Sequence, residues 1–144
     1  MCVDVRSFSD CGSPREQLER DPEYAGLVFS RLTPDWTSKQ GFWAPDPRSL
    51  ANRAKAVRHF LRDRPEKNIV LVGHGDVLRE ITCSAHGPSS YMWRNVEVQI
   101  FEFDSRTVDR EDCFLKLTEV VEAAGGYGPT STDMEAAAQI NGSL

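Results

Sequence analysis

Residues 68–82 read NIVLVGHGDVLREIT. Four apolar residues, Ile69 to Val72, run into Gly73-His74-Gly75, and a helical pattern through Val77, Leu78 and Ile81 follows. A short apolar run rich in β-branched residues predicts a fully buried strand. The next helix is expected from about residue 76 to 85. In open α/β sheets, ligands bind beyond the carboxyl ends of the strands, where the following helix offers unpaired N–H groups. His74 falls at that point. Glycines on either side leave the backbone free of Cβ atoms, so the chain can turn sharply and a ligand can come close. An imidazole, with a reference pKa of about 6.5, can donate hydrogen bonds to an anion and carry charge near neutral pH. Phosphate, or a phosphorylated small molecule, is the expected guest of His74 and Gly75. The plainer alternative is a neutral histidine bonded to a nearby carbonyl at a strand end.

The flanking sequence fits an α/β order. DPRSLANRAKAVRHFLRDRP, residues 46–65, is a marked helix: Asp46 caps it, Pro47 starts it and Pro65 stops it. Leu50, Ala54, Val57 and Leu61 share one face. Arg48, Asn52, Lys55, His59 and Arg62 share another, read as a solvated basic stripe. Downstream, NVEVQIFEFD alternates through Val96, Val98 and Ile100, and CFLKLTEVV follows after the turn DSRTVDRED. These predict an antiparallel hairpin. Upstream, Ser13, Pro14 and Glu16 carry a helix-start pattern with a capping box, and Pro22 ends that helix. Residues 24–45 are irregular. Their aromatics, Phe29, Trp36, Phe42 and Trp43, can pin them as an ordered insertion, and a lid or binding loop is the other reading. Residues 1–122 are expected to form one domain and 123–144 a flexible tail.

The totals exclude several classes. The chain has 144 residues, 40% hydrophobic and 27% charged, with a formal net charge of −5. An acidic chain without a basic face does not suit a phosphate-backbone binder, so no nucleic-acid partner is expected. No apolar run is long enough to span a membrane, and MCVDVRSFSD lacks the regions of a signal peptide. Cys2, Cys11, Cys83 and Cys113 match no zinc or redox spacing. They read as reduced thiols of a cytoplasmic protein. VLVGHGDV also invites comparison with the nucleophile elbow G-x-S-x-G, but Gly75 stands where the serine would.

RSLANRAKAVRHFLRDRPEKNIVLVGHGDVLREI followed by WRNVEVQIFEFD resembles the second half of the histidine phosphatase superfamily, the phosphoglycerate-mutase-like group, particularly its fungal members. CGSPREQLER resembles the insertion of those members more loosely. The resemblance implies a three-layer α/β/α sandwich. It implies phosphomonoester hydrolysis or phosphoryl transfer through a phosphohistidine, without metal or cofactor. In that chemistry one histidine of an Arg-His-Gly motif attacks, a second stabilises the transferring group, two arginines complete the pocket and a carboxylate protonates the leaving oxygen. Positive donors around the equatorial oxygens are what phosphoryl transfer requires.

By this likeness His74 matches the second histidine, and Asp4, in CVDVR, stands where the acid belongs. No Arg-His-Gly occurs in the sequence. His59 follows Arg58 but lies on a helix, and His86 precedes Gly87 in a turn. Asp76 adds negative charge beside the expected pocket. The chain therefore reads as a family member incomplete at its N-terminal side, with impaired turnover. The rivals are a non-catalytic module that binds a phosphate ligand or a protein, and a gene fragment without independent function. Lacking neighbours, the strand 69–72 would be an exposed edge open to self-association.

Overall fold

The computed structural model describes residues 12–121. Asp4, Cys2, Cys11 and the expected tail lie outside them. The chain divides into two compact units between Ser49 and Leu50.

The first unit opens with α1 (Arg15–Arg20). Pro14 itself occupies the N-cap in an extended conformation and no side chain caps the helix, so the capping box expected of Ser13 and Glu16 is not formed. An Arg15–Glu19 ion pair at 2.6 Å spans its one long turn instead. Asp21 then accepts from the Glu23 N–H at 2.9 Å and starts a 3₁₀ turn at Pro22, which ends α1 as the sequence suggested. Aromatic contacts tie the irregular stretch. Tyr24 meets Phe29 edge-on at 6.3 Å, Phe42 meets Trp43 at 5.1 Å, and Trp43 Nε1 donates to Thr33 Oγ1 at 3.2 Å. Trp36 lies against Gly12, where a Cβ would stand 1.9 Å from Cη2, so a side chain there would displace the indole. The segment is ordered by its own aromatics.

Helix α2 (Pro47–Arg62) begins as read: Asp46 Oδ1 accepts from the Ser49 N–H at 3.0 Å. In the second unit its inward residues are Ala54 and Arg58, one turn apart. Three residues of the stripe taken as solvated are docked, while Arg48 and Asn52 are exposed. Lys55 pairs with Glu111, His59 Nε2 bonds the Glu111 carbonyl, and Arg62 Nη1 reaches the Val108 carbonyl at 3.5 Å. All three seat the hairpin loop on the helix. Helix periodicity showed that these residues share a face, but not what covers it.

Helix α3 runs over Gly75–Ile81, shorter than expected. The chain leaves it through Thr82 and a tight turn in which Ser84 and Gly87 exchange backbone hydrogen bonds. β1 (Val98–Phe103) and β2 (Leu115–Val121) pair antiparallel, Val98 opposite Val121 and Phe103 opposite Leu115, with an irregularity between Ile100 and Phe101. The expected hairpin is therefore present. Its inner face is the other one: Gln99, Phe101 and Phe103 turn inward, while Val98 and Ile100 are exposed. Both faces are apolar, so alternation alone did not say which is covered.

The largest departure concerns residues 69–72. They form no strand and are not buried. Val70 and Val72 are 90% and 89% exposed, against 44% and 42% for Ile69 and Leu71. The alternation is that of an extended chain with no ladder beside it among the described residues. The sequence promised a central strand, but a strand is buried only if others flank it. Among the described residues three α-helices accompany one two-stranded antiparallel sheet.

Candidate functional site

His74 is the N-cap of α3, extended at φ −83° and ψ 155°, with no cap bond from its ring. The side chain is exposed. It thus stands at the start of a helix, as expected, but follows an extended exposed segment instead of a buried strand. The glycines beside it play a narrower role than expected. Neither has a positive φ. A Cβ on Gly73 would meet Leu78 at 3.4 Å and one on Gly75 would meet Trp93 Cβ at 3.7 Å, ordinary packing distances. They leave the backbone open to approach rather than enabling a forbidden turn.

Against Gly75 lies an aromatic group. Trp93 is 8% exposed; Tyr91 packs on it edge-on at 5.7 Å, and Phe101 from β1 lies at 6.2 Å. Glu97 organises the connecting loop by accepting from the Tyr91 hydroxyl, the Arg94 N–H at 2.8 Å and Gln99 Nε2 at 2.9 Å. Burial pushes the Glu97 carboxyl up, but these hydrogen bonds outweigh it and hold it below its ordinary value. The same bond to Glu97 raises the Tyr91 phenol, with burial adding to it.

Asp76, one residue past Gly75, does not stand free. Its Oδ1 lies 3.3 Å from Arg79 Nη2. Arg79 Nη1 donates to Met92 Sδ at 3.6 Å, and its buried Nε has no partner among the described residues. Sequence reasoning passed over Arg79, although its i, i+3 spacing from Asp76 was a visible signal.

The other end of α3 carries a different constellation, also missed. Arg58 is 3% exposed. Its Nε donates to the Asp112 carbonyl at 2.9 Å, and Nη1 to the carbonyls of Glu80 at 3.0 Å and Ile81 at 3.4 Å. Its guanidinium lies 5.7 Å from the Phe114 ring centre. It satisfies the last carbonyls of α3 and favours their partial negative charge. A cleft of about 450 Å³ opens here, lined by Asn52, Lys55, Arg58, Cys83, Ser84 and Asp112 among others. His74 does not line it. Burial pushes the Cys83 thiol up, which keeps it protonated and a poor nucleophile. His59 is committed to the hairpin loop, and His86 is exposed in the Ser84–Gly87 turn. Among the described residues no three His, Cys, Asp or Glu side chains gather as a metal site, and no helix is long and apolar enough to cross a membrane.

A family model, the histidine phosphatase superfamily (branch 1), matches residues 12–118. The chain belongs to that superfamily. No curated protein and no solved structure matches it.

Proposed function

We propose that His74 and Gly75 form the second-histidine half of a phosphohistidine-type pocket, and that this chain binds phosphate or a phosphorylated small molecule. The observation that carries this is superfamily membership across residues 12–118, with the one histidine that matches a family motif exposed beside a glycine-flanked turn. In the family reaction His74 would stabilise the phosphoryl group in flight, and Asp4 would serve as the proton donor. A nucleophile must divide the displacement into two steps, and the 144 residues contain no Arg-His-Gly to supply one. His59 and His86 stand in the wrong settings. We therefore read the chain as a cytoplasmic phosphate-binding member with little or no turnover of its own. Phosphatase or mutase chemistry through a phosphohistidine needs that motif, so turnover by these 144 residues is read as impaired; a non-catalytic phosphate-binding module is the second reading.

Titrating inorganic phosphate while following the imidazole resonances tests it. The His74 signals should move at millimolar ligand, those of His59 and His86 should stay, and His74→Ala should abolish binding. Hydrolysis of an aryl phosphate at neutral pH should be negligible. Unmoved His74 signals would remove the binding site. Turnover abolished by His74→Ala would show that the chain is an enzyme after all.

A further inference from the structure

We draw no further inference here: the strongest candidate, the cleft of about 450 Å³ between α2 and the C-terminal end of α3, has its two cations already spent, Arg58 on the carbonyls of Glu80, Ile81 and Asp112 and Lys55 on Glu111, and nothing in the structure shows what would occupy it.

Discussion

Arg58 shows how far a single side chain can determine a junction. Removing it strands the carbonyls of Glu80, Ile81 and Asp112 in buried surroundings. Arg58→Met should cost about 3–5 kcal/mol, the range for breaking a buried charged network, read from urea unfolding. Arg58→Lys should recover little, since an ammonium cannot reproduce the fork. Val96 offers the opposite case. It is 71% exposed and holds φ at 62°, a left-handed conformation that a β-branched residue resists. Val96→Asn should raise stability by about 1 kcal/mol, because strain is relieved and no packing is lost. Neither residue announced itself in the sequence. Arg58 was one more arginine on a helix, and its partners lie 22 to 54 positions away. The start of α3 after His74 was legible because its signal is local: an apolar run, two glycines and a helical pattern lie side by side.

The elements divide along the same line. Helix α2 was readable end to end because Asp46, Pro47 and Pro65 are local punctuation. The hairpin was readable because its strands and its turn are contiguous. Which face of β1 is covered was not, because that depends on what packs across it. The turn itself gives a pH test. Asp104 accepts from the Arg106 backbone and side chain, and its backbone N–H and C=O close the turn onto Phe114 and Thr107. The Arg106 side chain, then its backbone N–H, pulls the Asp104 carboxyl down to about 2. A depressed carboxyl stabilises the fold fully above its ordinary value of 3.8 and loses that contribution as pH falls toward about 2. A carbon-13 titration should place the Asp104 midpoint near the lower figure, and hydrogen exchange at Thr107 and Phe114 should quicken only below pH 3.8. An ordinary midpoint would mean the turn is not closed in this way.

The chain taken together pairs a recognisable family signature with a sheet of two strands among the described residues. The order helix, strand, glycine-flanked histidine, helix and strand made the superfamily legible from residues 46–104, and the family match over 12–118 agrees. Among the described residues no strand pairs with residues 69–72, and no local pattern reports what lies beside an apolar run. An extended apolar segment with free N–H and C=O groups pairs readily with other chains. Val70→Lys and Val72→Lys, both at fully outward positions, should reduce self-association in size-exclusion chromatography, with thermal stability changed by less than about 0.5 kcal/mol. A monodisperse parent chain, unaffected by either change, would show that the segment is protected in solution. The Arg58 junction also carries a kinetic consequence. Its bond to Glu80 closes a span of 22 residues and its bond to Asp112 one of 54. The longer closure costs about 0.8 kcal/mol more chain entropy. Docking α3 on α2 first and folding the hairpin loop over the guanidinium afterwards is therefore the cheaper order of assembly. On that route the buried charge receives its helix carbonyls before it loses water, so the chain never has to strand a bare cation in a half-formed core.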